Sequence, residues 1–214
     1  MMDTNVMWVN EKKIERTIKS LEKNNMKGYL VNNSEELFER IEKVLKDGDT
    51  VACGGSMTLF ETKVIDYLRS GRFKFLDRYE PNLTPEEVKD IFKKSLLSDV
   101  YFTSSNAITE NGELYNVDGN GNRVAAMLYG PEKVIVVAGV NKIVANVEEA
   151  IERNKYLCAP ANAKRLSTNT PCEVTGYCMD CQSPTRICCE YTLIKRQKTA
   201  NRMHVIFLNE NFGY

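Results

Sequence analysis

Four short apolar runs, KGYLVN, TVAC, FKFLD and DVYFTS, are spaced along residues 27–104 with an amphipathic stretch in each gap. Few architectures accommodate that alternation. Strands separated by helix-length crossovers pair in parallel, and the crossovers cover the faces of the sheet. The helix boundaries are marked as well. Ser34 reads as the cap of a helix over 34–48, with Glu35 and Glu36 at its positive end and Gly48 closing it. Thr58 and Glu61 have capping-box spacing ahead of a helix over 58–71. Thr84, Pro85 and Glu87 supply a cap, a first-turn proline and a box partner for the next helix. Upstream, Asn10 reads as the cap of a helix with Ile14, Ile18 and Leu21 on one face.

Beyond residue 104 the pattern changes. ELYNVD reads as a strand running into the turn formers Asp118-Gly119-Asn120-Gly121, and Asn122 opens a short helix that Gly130 and Pro131 end. KVIVVAG, residues 133–139, is the most apolar run in the chain and predicts a central strand covered on both sides. Residues 146–166 read as a helix in two pieces broken at Pro160, with Cys158 a core residue, and RMHVIFL as a closing strand. The 214 residues are read as one domain, 1–214, with a cysteine-rich segment at 168–190.

Lys+Arg and Asp+Glu are each 29, which disfavours a nucleic-acid partner. No segment approaches the roughly 18 apolar residues of a membrane span. The first twenty residues lack the apolar core of a signal peptide, so a cytoplasmic protein with reduced thiols is expected.

Gly54, Gly55 and Ser56 join the TVAC strand to the helix after it. Ligands collect at the carboxyl ends of strands in open α/β sheets, and glycine lets them approach the backbone. With the hydroxyls of Ser56 and Thr58, the turn reads as a cradle for a phosphate or carboxylate; the plainer alternative is a tight turn with ordinary capping. The loop Ser104–Arg123 carries Glu110 and Asp118 as candidate general base or nucleophile, and Asn106, Asn111 and Asn122 as candidate ligand holders. Its alternative is an Asx-rich set of turns with Glu110 solvated.

VACGGSMTLFETKVIDYLR together with DVYFTSSNAITENGELYNVDGNGNRVAAMLYGPEKVIVVAGVNKIV resembles the LUD, or lactate-utilisation domain, family, over most of the chain from about Glu11. The resemblance implies a Rossmann-like three-layer α/β sandwich with a mostly parallel sheet, of the NagB/RpiA/CoA-transferase-like kind. It carries an anion-binding role to Gly54, Gly55 and Ser56. Thr109-Glu110-Asn111-Gly112 is similar to the turn that holds the nucleophilic glutamate in CoA transferases of that fold, which singles out Glu110. It also implies a link to lactate oxidation beside iron–sulfur subunits, without implying that this subunit is itself catalytic. The ferredoxin-like cysteine run of larger relatives is missing from the sequence.

Five of the 7 cysteines fall within residues 172–189. Cys172, Cys178, Cys181 and Cys188 are spaced x5, x2 and x6, and the Cys178–Cys181 pair has chelating spacing. Zinc, an iron–sulfur cluster, a redox pair and plain core packing all stay open, since the spacing matches neither a zinc ribbon nor a ferredoxin. His204 reads as structural, and Cys53 as a residue at the buried end of its strand. The functional expectation is a component of lactate or organic-acid utilisation that binds a small carboxylate or phosphate metabolite. The rivals are an accessory subunit that holds a cluster and docks to an iron–sulfur oxidoreductase, and a CoA-transferase-like or sugar-phosphate-isomerase-like enzyme.

Overall fold

The computed structural model describes residues 3–214. Its main sheet has six strands, all parallel. In spatial order they are β1 (Lys27–Val31), β10 (Met203–Leu208), β7 (Lys133–Gly139), β4 (Val100–Thr103), β2 (Thr50–Cys53) and β3 (Lys74–Leu76). β7 lies inside the sheet between β10 and β4, as its apolar run predicts. Alternate residues of β7 enter opposite cores. Val134, Val136 and Ala138 join one cluster with Ile14 and Leu21 of α1 (Thr4–Lys23) and Met127 of α6 (Asn122–Leu128). Ile135 and Val137 join another with Leu37 and Ile41 of α2 (Ser34–Glu42), Leu59 of α3 (Met57–Glu61), and Val64 and Leu68 of α4 (Val64–Leu68). Burial on both faces is why the strand carries no polar alternation.

A second sheet of four strands lies against the first cluster. Its order is β8 (Ile143–Val144), β5 (Ala107–Thr109), β6 (Leu114–Asp118) and β9 (Glu190–Ile194), with β5–β6 and β6–β9 antiparallel. Ile108, Leu114, Ile143 and Ile194 fill the space between the two sheets. Neither β5 nor β9 is evident in the sequence pattern: β5 is only three residues long, and β9 continues directly from the cysteine-rich segment.

Several boundaries shift for local reasons. Thr84 forms its capping box with Glu87 at the start of α5 (Pro85–Ser95), as the spacing predicts. Asn33, not Ser34, caps α2 through its bond from the Glu36 N–H, and Asp3 caps α1, leaving Asn10 inside that helix. Residues 58–71 are two helices instead of one, because Lys63 takes a left-handed conformation (φ 61°) between α3 and α4. Ser56, not Thr58, caps α3. Pro160 does not break its helix. The π-helical turn Asn154–Cys158 links α7 (Val147–Arg153) to α8 (Ala159–Leu166), placing Pro160 in the first turn of α8, where a missing N–H costs little. α9 (Pro171–Thr175) opens the cysteine-rich segment. Among the described residues no helix is long and apolar enough to cross a membrane.

Candidate functional site: a cationic pocket at the carboxyl edge of the sheet

β2 leads outward to β3, whereas its neighbour β4 leads the other way toward β7, so a topological switch point lies between the carboxyl ends of β2 and β4. A crevice is expected at such a switch point. A pocket of about 260 Å³ occupies that edge. Gly55, Ser56 and Thr58 come to it from the end of β2, Ser104 and Asn106 from the end of β4, and Lys142 from the 3-10 turn after β7. Asp118 and Asn122 come from the β6–α6 junction, and Arg165 from α8.

The structure therefore brings together most of the residues singled out from sequence. Thr58 is pinned: its hydroxyl donates to the Phe212 carbonyl at 3.2 Å. Ser56 accepts the Leu59 N–H at 3.3 Å. Asn106 uses its Oδ1 to accept from Val117 N–H and from Arg123, which leaves its Nδ2 without a protein partner among the described residues. Asp118 serves as an anchor. One carboxylate oxygen accepts the N–H groups of Arg123 and Val124 at 3.0 and 3.1 Å, and the other takes Gly119 N–H. That fixes the start of α6 and with it Arg123.

Gly54 has a different reason to be glycine from the one its sequence suggests. A Cβ there would sit 2.8 and 2.9 Å from the aliphatic carbons of Arg123 and 3.0 Å from the Tyr101 hydroxyl. The close approach is to a buried protein side chain. Gly55 has ordinary room, 3.7 Å from Arg78 and 3.8 Å from Tyr79, and it is the exposed member of the pair on the pocket wall.

Glu110 and Asn111 lie elsewhere. They form the turn between β5 and β6, in the second sheet, and do not line this pocket. Glu110 pairs with Arg16 of α1 at 3.0 Å, and the Asn111 carbonyl accepts from Asn24. Gly112 closes that turn against α1, where a Cβ would meet Leu21 N at 2.6 Å. The resemblance to a catalytic turn is thus met by a turn that docks a helix.

The cysteine-rich segment lies beside the pocket. Cys172 and Cys188 are buried, Cys178 and Cys181 half-buried, and Cys189 exposed, all as free thiols. The Asp180 N–H donates to Cys178 Sγ at 3.4 Å across the Cys178–Cys181 turn. Among the described residues no group of three or more His, Cys, Asp or Glu side chains is placed to hold a metal ion, although Cys188 is electrostatically coupled to Cys172, Cys178 and Cys181. His204 bonds Tyr29 and the Asn201 carbonyl on opposite ring nitrogens, a structural position.

What the sequence does not signal is the pocket's charge. Arg78, Arg123, Lys142 and Arg165 all line it, none is paired with a carboxylate side chain among the described residues, and Asp118 is the one acidic side chain in the lining. Arg123 is 8% exposed; its guanidinium donates to Ser104 O, Asn106 Oδ1, Asn116 Oδ1 and Val117 O at 2.7–3.2 Å. Lys142 is 2% exposed and donates to the main-chain oxygen of Tyr214 at 2.7 Å. Burial, reinforced by the nearby Arg153 guanidinium, pushes Lys142 down to about 7; Arg123 adds to this, while Cys158 and Glu61 oppose it. A lysine whose charged form is disfavoured by burial inside a cleft is a candidate functional group. Its one sequence signal is a lysine following directly on the most buried strand.

Two outcomes test this geometry. Gly54→Ala is expected to cost about 1–3 kcal/mol by displacing the Arg123 stem, and Gly55→Ala less than about 0.5, read as chemical-denaturation midpoints. For Lys142 the native value lies below the ordinary 10.5, so folding disfavours its charged form. Its contribution is fully favourable above about pH 10.5 and is lost as pH falls toward about 7. Relative to Lys142→Met, the native sequence should therefore lose stability between pH 10 and 7 with a slope approaching about 1.4 kcal/mol per pH unit, and then level off. Urea denaturation of both proteins at several pH values reads the difference.

The LUD domain family model matches residues 14–208. The fold is similar to the solved structure of a DUF162 family protein from Deinococcus radiodurans, with 14% sequence identity, coverage of 93% of this chain and 98% of that one, and a TM-score of 0.53. Partial similarity extends to eIF2B beta from Chaetomium thermophilum, at 17% identity, TM-score 0.35, and 53% and 43% coverage. eIF2B delta from the same organism gives 20% identity, TM-score 0.32, and 52% and 48% coverage, and neither score bears on the fold. No curated protein sequence matches significantly. With its family model spanning nearly the whole length, from the first core residue of α1 to the last residue of β10, the chain belongs to the LUD domain family.

Proposed function

We propose that this LUD-domain chain, read as one unit over residues 1–214, binds a small metabolite carrying a carboxylate or phosphate in the cationic pocket. The role fits a component of lactate or organic-acid utilisation. One observation carries the reading: four cationic side chains line a small cleft whose single acidic side chain is already engaged by main-chain N–H groups. Uncompensated positive charge in a cleft concentrates anions, and its low-dielectric walls strengthen the attraction. The pocket's size suits a ligand of a few heavy atoms, not a dinucleotide. Gly55, Ser56, Asn106 and Asn122 supply donors around the charges, Gly54 and Thr58 hold the wall in place, and Lys142 is the group that moves a proton.

A second reading shares the pocket and adds a docking role beside an iron–sulfur oxidoreductase. Its support is the exposed apolar group Tyr156, Leu157, Val174, Tyr177 and Met179 next to the cysteine-rich segment. In that reading the chain is an accessory subunit with no turnover of its own, so turnover of an organic acid by the purified chain alone would exclude it.

Binding is tested by thermal denaturation with sulfate, phosphate, small mono- and dicarboxylates and uncharged polyols at matched ionic strength. A ligand at about 100 times its Kd stabilises by about 2.7 kcal/mol, which for a chain of this size raises Tm by roughly 5–10 °C. Anions should produce such a rise and polyols should not; equal responses to both would contradict the reading.

A further inference from the structure

The pocket wall also holds a thiol in an unusual setting. Cys158 is 2% exposed and lines the pocket from the last residue of the π-helical turn between α7 and α8. Single π turns inside helices recur at functional sites because they re-aim one side chain at the expense of regular bonding. Here the π turn ends on Cys158. Arg153 Nη1 donates to its Sγ at 2.7 Å. A guanidinium has donors only, so the sulfur is the acceptor in this contact. The same nitrogen donates to Asn106 O at 2.6 Å, and Nε donates to Asn141 O at 3.0 Å, so Arg153 is locked in place. No carboxylate pairs with it among the described residues, and its Nη2 is buried without a partner.

An independent feature points to a ligand in the same space. Ser104 lines the pocket at 6% exposure, and its hydroxyl oxygen is buried with no hydrogen-bond partner among the described residues. A buried hydroxyl left unpaired costs free energy, and a ligand oxygen in the pocket would relieve it. Lys142, with its proton exchangeable near neutrality, is electrostatically coupled to Cys158 across the pocket.

We propose that Cys158 is the nucleophile of the anion pocket and that its electrophile is the carbonyl carbon of a small carboxylate- or phosphate-bearing compound. This rests on the anion reading above. The Sγ–C bond forms, the carbonyl π pair moves to oxygen, and the thiol proton ends on that oxygen by way of the Lys142 amine. The product is a hemithioacetal or hemithioketal; nothing is oxidised or reduced, and reversal regenerates the thiol. Arg153 positions the sulfur, Arg78 and Arg165 draw in the anionic end, and Ser104 meets a ligand oxygen.

Charge-selective alkylation of the unmodified protein tests this. Iodoacetate and iodoacetamide deliver nearly the same carbon, and in both the Sγ–C bond forms as iodide leaves with the bonding pair and the thiol proton passes to solvent. Only iodoacetate carries the anion. Peptide mapping by mass spectrometry is expected to find Cys158 modified by iodoacetate about tenfold or more faster than by iodoacetamide. Exposed Cys189 should lack that preference, and inorganic sulfate should slow the reaction at Cys158 alone. A Cys158 that stays unmodified while Cys189 reacts fully would overturn the proposal. It would leave the anion reading standing if sulfate still raises Tm. Equal rates with both reagents at Cys158 would overturn the proposal and count against the anion reading too.

Discussion

A buried guanidinium with no carboxylate pairing to it among the described residues sets the shape of this pocket. Arg123 is solvated by four protein oxygens, from Ser104, Asn106, Asn116 and Val117. A buried charge lacking such partners is strongly unfavourable, so those acceptors and the charge must be kept together. They come from the end of β4 and from β6, which belong to different sheets. The cation thus ties the two sheets at one corner, and the Asp118 carboxylate holds the start of α6 that carries it. Gly54 completes the arrangement by leaving room for the arginine stem.

Because Arg123 is satisfied by neutral oxygens, its positive charge is not cancelled. Arg78 is held by aromatic faces, 4.4 Å above Phe92 and 5.4 Å above Tyr79, and Arg165 by Asn162 and the Tyr214 hydroxyl. These contacts orient a cation without neutralising it. The same holds for Arg153 on two carbonyls and a sulfur. Elsewhere, Arg72 has two carboxylate partners and Arg69 has one.

Much of the scaffold was legible in the sequence because local rules and tertiary packing agree there. Strand–helix alternation gave the parallel sheet, KVIVVAG gave a central strand, and Thr84 with Glu87 gave a capping box. The Gly-Gly-Ser turn was rightly placed at a strand's carboxyl end, although Gly54 proves to face Arg123. The charged half of the pocket was not legible. Arg78, Arg123, Lys142, Arg153 and Arg165 are scattered over nearly ninety residues, and in sequence a long cationic side chain reads as solvated surface. Only the crossing of β4, β7 and α8 at one edge brings them together. Glu110 was misplaced because β5, three residues long, carries no periodic signal, so a hairpin turn was read as a loop at the edge of the main sheet. Cys158 reads as core by composition, and only the fold places it on the pocket wall, at the end of the π turn.

The central claim is positional: anions settle among Arg78, Arg165, Lys142 and Ser104. The most direct measurement is a crystal structure of the protein grown or soaked with selenate, with anomalous data collected at the selenium edge. The account expects the strongest anomalous peak that does not belong to a methionine or cysteine sulfur to lie inside the pocket, within hydrogen-bonding distance of the Ser104 hydroxyl or one of those cations. Selenate found only on surface lysines, with the pocket lacking anomalous density at a saturating concentration, would contradict it.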